Sequence, residues 1–240
     1  MLNRFADKRV VIIGGTSGIG LSLADRLQKQ GAKVTVASRS EKNQAAARRA
    51  LGSEAEVRTL DVTRESEVEV FFNSLPEIDH LVMSAAVPAA GPFLEQPMAA
   101  VRELVESKFW GQFYGARYAA PKIPEGGSIT LFSGIVARKP LPGMSAFASV
   151  AGAIESLTRV LALELAPVRV NCITPGVIET PAWSFLPEPD RGEQLAAIGA
   201  GLPVTRVGKP EEVADAAMMV MANGFMTGTV VDVDGGHCVV

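Results

Sequence analysis

The segment Gly14-Gly15-Thr16-Ser17-Gly18-Ile19-Gly20 constrains this chain more than any other. It follows an apolar run, Val10–Ile13, and leads into an amphipathic stretch, Leu21–Gln30. Glycines let the chain turn tightly and leave no side chain in the way, so backbone N–H groups approach a bound phosphate closely. The helix that follows presents its positive end to the same place. The expectation is a pyrophosphate cradle made by Gly14, Thr16, Ser17, Gly18, Ile19 and Gly20.

The remainder of the chain repeats the same strand–helix alternation. Short β-branched runs at Lys33–Ala37, Glu56–Leu60, His80–Met83, Ser128–Phe132, Val168–Ile173 and Val230–Val233 read as strands. Several are apolar throughout, as strands covered on both faces must be. Helical patterns lie between them, at Glu65–Ser74, Met98–Ala120, Ala148–Leu165 and Pro210–Met221. This order predicts a single domain over residues 1–240, of α/β class. Its architecture is a Rossmann-type, doubly wound, mainly parallel seven-stranded sheet flanked by helices on both faces. One irregular stretch, 180–203, is rich in proline and aromatics; it is expected to cover a ligand.

Composition narrows the functional classes. A formal charge of −3 argues against a nucleic-acid or anionic-membrane surface. No wholly apolar run reaches the roughly 20 residues of a membrane span. The apolar stretch after the polar start ends at Gly14, which reads as a buried strand and not a leader. Two cysteines, Cys172 and Cys238, fit a reducing cytoplasm and suggest no metal site.

The second strand ends Val36-Ala37-Ser38-Arg39. An acidic residue there would accept hydrogen bonds from a ribose 2′-hydroxyl and repel a 2′-phosphate. A hydroxyl followed by a guanidinium suits the phosphate instead. Ser38 and Arg39 therefore point to NADP(H) over NAD(H).

With these residues in place, the chain resembles the short-chain dehydrogenase/reductase family over nearly its whole length. The resemblance is carried by the Gly14–Gly20 turn, Leu60-Asp61-Val62-Thr63, the strand and loop Val170–Thr180 that contain Pro175-Gly176, and the terminal Val233-Asp234-Gly235-Gly236. It implies that Asp61 and Val62 lie beside the adenine. It places Ser84 and Ala85 along the cofactor, and Pro175, Gly176, Ile178 and Thr180 near the carboxamide and phosphates. It also implies a homo-oligomer, dimer or tetramer, built through the two long helices.

The family's catalytic set is a Ser, a Tyr, a Lys four residues after the Tyr, and an Asn on the preceding long helix. By resemblance Ser133 stands at the Ser, Phe147 at the Tyr, Ala151 at the Lys and Lys108 at the Asn. Met83-Ser84-Ala85-Ala86 replaces the usual Asn-Asn-Ala-Gly. Phe147 cannot exchange a proton, so the usual mechanism does not apply as written. A lysine partly withdrawn from water becomes a usable acid, which makes Lys108 the candidate donor and Ser133 the candidate clamp on the substrate oxygen.

Arg138 is a second cation that could orient an anionic substrate. Met144, Phe147, Trp183, Phe185 and Leu186 suggest an apolar cavity for a small hydrophobic or aromatic substrate. His237 and Cys238 read as structural or interfacial. Three functions stay open: a reductase of a carbonyl or imine with a non-standard donor, a non-catalytic NADP(H)-binding sensor, and a lyase or cyclase on the same fold.

Overall fold

A computed structural model describes residues 4–85, 87 and 89–240; the start Met1–Asn3 and the position Ala86 read above lie outside the described residues. Seven strands form one sheet: β1 Arg9–Ile13, β2 Lys33–Ser38, β3 Glu56–Thr59, β4 His80–Met83, β5 Ser128–Phe132, β6 Arg169–Pro175 and β7 Val230–Val233. Their order is β3-β2-β1-β4-β5-β6-β7, and every neighbouring pair is parallel. The alternation of side chains along β1 shows why both faces must be covered. Val11 and Ile13 join one core with Phe71, Leu81, Leu104 and Ile154, while Val10 and Ile12 join the other with Leu23, Leu27, Val36 and Val213.

The helices are α1 Gly18–Lys29, α2 Glu41–Leu51, α3 Glu65–Asn73, α4 Met98–Leu104, α5 Gly111–Ala119, α6 Ser145–Glu164, α7 Asp190–Ala200 and α8 Pro210–Ala222. Helix α2 adds to the patterns read from the sequence, and two further stretches depart from that reading. The stretch expected to be irregular contains α7, which begins directly after Pro189. The expected single helix Met98–Ala120 is two helices joined by a π-helical segment, Val105–Trp110. Such a wide turn shifts side chains relative to a regular helix and frequently marks a functional position. Lys108 lies within it.

Helix α6 also qualifies the reading of hydropathy. Its 20 residues are long and apolar enough to cross a membrane by length and composition. In the fold, Val150, Ala151, Ile154 and Ala162 are buried on it, and the helix packs against β6.

The strand order reverses between β1 and β4, so their loops diverge and leave a crevice at the carboxyl edge of the sheet. Ile13 pairs with both Ala37 and Met83, which brings the ends of three strands to that crevice.

Away from the crevice, His80 on β4 is buried, with Nδ1 2.9 Å from Ser128 Oγ and its ring edge-on to Phe5. Burial, the largest influence, holds its pKa down at about 4, against 6.5 for an ordinary histidine. The unfolded chain therefore binds a proton more readily than the folded one. Neutral His80 contributes fully above pH 6.5, and that contribution is lost as pH falls toward 4. Between pH 8 and pH 5 the expected loss is about 2 kcal/mol from this group. Urea unfolding at the two pH values measures it, and His80→Gln should remove that part of the dependence.

Candidate active site

The cleft at the carboxyl edge encloses about 1190 Å³, more than one drug-sized ligand needs. The part expected to take the pyrophosphate is the β1–α1 turn. Gly14 has φ +85°, and a Cβ there would fall 2.6 Å from Ala85 N. A Cβ on Gly20 would fall 2.4 Å from Gly14 O. The turn closes this tightly only because both positions lack side chains. Ser17 at the helix N-cap makes no side-chain bond to the first turn, so the N–H groups there stay free for an anion. Thr16, Ser17, Gly18 and Ile19 all line the cleft.

The part of the cleft expected to take adenosine gathers residues from three strand ends. Thr16 Oγ1 donates to Ser38 Oγ at 2.8 Å. Arg39 lines the cleft beside Ser38, and its guanidinium lies 3.1 Å from Glu103 in an exposed ion pair. Asp61 is held by Thr63, whose N–H and hydroxyl both donate to Oδ1, at 3.0 and 2.8 Å. Val62 and Ala85 line the same wall, and Ser84 is fixed by its N–H and hydroxyl donating to Ile13 O. Two further lining residues, Ser40 and Asn43, escaped the sequence reading. Their signal was the Ser-x-x-Asn start of α2, where Ser40 Oγ accepts from Asn43 N. They add polar groups at a helix N-terminus next to Arg39.

The closed end contains the most unusual group. Lys108 is only 4% exposed, and its Nζ donates to Phe132 O and Ser133 O, each at 3.0 Å. The centroid of the Phe147 ring lies 4.9 Å away. Burial lowers the Lys108 pKa to about 8, partly offset by nearby Cys172. Gln112, one turn further on, clamps the end of β5: its Nε2 donates to Phe132 O and its Oε1 accepts from Phe132 N. Gln112 was also missed, although its spacing of four from Lys108 puts both on one helix face.

Ser133 lines the cleft, but its hydroxyl is turned onto α6. It donates to Ala151 O at 3.0 Å and lies 3.4 Å from Glu155 Oε1. The residue facing Phe147 is the next one, Gly134, whose missing Cβ would fall 2.8 Å from the ring. Gly134 is extended, so consecutive residues point to opposite sides. The expected clamp on a substrate oxygen thus has its hydroxyl engaged elsewhere.

Pro175, Gly176, Ile178 and Thr180 form the wall opposite, with Thr180 packed on Gly18. Met144, Phe147 and Trp183 line the outer part, and Trp183 Nε1 donates to Ile178 O. Phe185 and Leu186 do not line it; Phe185 stacks on Trp183 from outside. Arg138 is likewise turned away. It pairs with Asp232 and with Glu155, the latter at 3.3 Å, so its charge is matched by two carboxylates. The cation that this loop gives the cleft is the neighbouring Lys139. His237, read as structural, also lines the cleft.

The comparisons with known proteins agree with this fold. Residues 14–237 match the family described as Enoyl-(Acyl carrier protein) reductase. The chain is 33% identical to "Short-chain dehydrogenase/reductase ATR9" of Stachybotrys chlorohalonatus, over 95% of each chain. It is 30% identical to "Carbonyl reductase family member 4" of Xenopus laevis, covering 95% of this chain and 97% of that one. Among solved structures it is similar to a small-chain dehydrogenase in complex with NADPH, with TM-score 0.87 and 36% identity, covering 98% of this chain and 100% of that one. It is also similar to MalC Reductase/Diels-Alderase from Malbranchea aurantiaca, with TM-score 0.90 and 27% identity over 99% of both chains. A Rossmann-type sheet, a glycine cradle and these relatives lead to one conclusion: the chain belongs to the short-chain dehydrogenase/reductase family, and is an oxidoreductase of that type.

Proposed function

We propose that the protein is an NADP(H)-dependent reductase of a carbonyl or imine, with Lys108 as proton donor where the family uses tyrosine. The observation that carries this reading is the composition of the closed end. Among the described residues lining that part of the cleft, Lys108 has the only ionisable side chain, beside Gly134 and Phe147.

The glycine turn and the free N–H groups of α1 suit a pyrophosphate, and Ser38, Arg39, Ser40 and Asn43 suit a 2′-phosphate. Arg39 can leave Glu103 at little cost, because exposed ion pairs contribute little. When bound, the reduced nicotinamide supplies a hydride. Negative charge then develops on the substrate oxygen or nitrogen, which requires a proton. The Lys108 ammonium has three N–H bonds. Two are held by the carbonyls of Phe132 and Ser133, and the third is left toward Phe147 and the cleft. Giving up that third proton leaves both carbonyl bonds intact, so the amine needs no rearrangement. The apolar wall of Met144, Phe147 and Trp183 favours a hydrophobic or aromatic substrate.

A second reading, dinucleotide binding without turnover, draws on the same group: two of the three Lys108 N–H bonds already have partners, and neither Phe147 nor Ala151 ionises. Self-association through α5 and α6 is part of the proposal. Val160 and Leu163 are exposed on α6, and Trp110 and Tyr114 stack on the preceding helix.

NADPH consumption with a panel of aldehydes, ketones and imines separates the two readings. Turnover should appear, and Lys108→Met should lower kcat at least about a hundredfold while NADPH still binds. Turnover with intact Lys108→Met activity would remove the donor. Because the donor must be protonated, kcat/KM should fall as pH rises through about 8. Arg39→Asp should weaken NADPH binding roughly ten- to a hundredfold with little effect on NADH, measured by titration of each. Equal losses for both would refute the 2′-phosphate assignment.

A further inference from the structure

Lys108 without its proton is a nucleophile, and its surroundings suit that second role. An ammonium carries three N–H bonds and a neutral amine two. Lys108 Nζ donates to Phe132 O and Ser133 O, each at 3.0 Å, and to no other group among the described residues. The amine therefore keeps both bonds when the proton leaves, and its lone pair takes the place of the third N–H. Beyond the two carbonyls, Nζ meets the Phe147 ring, whose centroid lies 4.9 Å away, and both residues line the cleft. No carboxylate among the described residues pairs with Lys108 to hold it charged. Burial keeps its pKa down at about 8, so amine and ammonium coexist near neutral pH.

The same surroundings accommodate a covalent adduct on Nζ. A nitrogen that enters a C=N bond retains one N–H, so one of the two carbonyls loses that donor. A buried carbonyl left without any donor would be costly. Phe132 O, however, also accepts from Gln112 Nε2 at 2.9 Å, so it stays paired while the remaining N–H serves Ser133 O. The positive charge of such a nitrogen meets the Phe147 ring as the ammonium does. Met144, Phe147 and Trp183 offer apolar surface to the body of the captured molecule.

We propose that Lys108 captures aldehydes and ketones covalently as an iminium, which gives the cleft a Schiff-base activity that needs no dinucleotide. The amine lone pair forms a bond to the carbonyl carbon, while the C=O π pair moves to oxygen. A proton passes from nitrogen to that oxygen, giving a carbinolamine. The nitrogen lone pair then expels the hydroxyl, which leaves as water with one proton from solvent. Amine, carbonyl and one proton thus become iminium and water. The C=N bond draws electrons from the adjacent carbon and so eases proton exchange or bond cleavage there. Capture rests on the reductase reading only for the placement of Lys108 against a carbonyl; no hydride takes part.

The test is incubation of the dinucleotide-free protein with biphenyl-4-carbaldehyde and sodium cyanoborohydride, which fixes an iminium as a stable secondary amine. Peptide mapping by mass spectrometry then locates the label. At pH 8 the neutral fraction of Lys108 is about a hundred times that of an ordinary lysine. Lys108 should therefore be labelled at least about tenfold faster than any other lysine. From pH 8 to pH 9 its rate should rise only about twofold, against about tenfold for the others. Label spread over exposed lysines, with Lys108 no faster than they are, would overturn the capture. That failure alongside Lys108-dependent consumption of NADPH would leave the reductase reading standing. Fast labelling of Lys108 with no NADPH turnover would support capture and remove the reductase reading.

Discussion

The close approach of Gly14, Gly20 and Ala85 is the constraint on which the site depends. At these distances a single added carbon at Gly14 or Gly20 would overlap backbone atoms. The contact sets the start of α1 against the end of β1, and the end of β4 against both. It fixes where the free N–H groups of α1 point and how wide the crevice opens between β1 and β4. Everything a dinucleotide would touch is measured from that turn.

The closed end obeys a different rule. A buried ammonium is costly unless its N–H groups find partners. Here the end of β5 provides two carbonyls, and Gln112 holds that strand end in place by pairing with both N–H and C=O of Phe132. The π-helical turn brings Lys108 into reach. One strand end, one wide helical turn and one glutamine therefore keep a lysine in an apolar corner, where burial weakens its hold on a proton. The absence of a Cβ at Gly134 leaves the room that the Phe147 ring occupies, and the ring in turn covers the lysine. The reaction chemistry proposed for the site follows from this packing more than from any single residue.

Much of the fold was legible in the sequence because its signals were redundant. The strands were bounded by turn residues, several were apolar throughout, and their alternation with helices called for parallel crossovers. Helix α7 was hidden because prolines flank it and its apolar positions are few. The cradle residues were legible because glycine spacing has few alternative uses. The pocket side chains were harder for a specific reason. Ser133 and Gly134, or Arg138 and Lys139, are neighbours, and a shift of one residue in extended or irregular backbone exchanges the face that meets the cleft. Sequence spacing places the pair at the strand end; only the backbone decides which member looks inward. His237 was read as structural because a residue after a glycine pair carries no periodic signal to point it at the cleft.

The central claim is that Lys108 is a buried amine able to release a proton near neutral pH. Its most direct measurement is an NMR titration of the lysine side chains in the folded protein, with Lys108→Met identifying the resonance. The account predicts a midpoint of about 8 for Lys108, well below the other lysines. A midpoint near that of an ordinary exposed lysine, about 10.4, would contradict it.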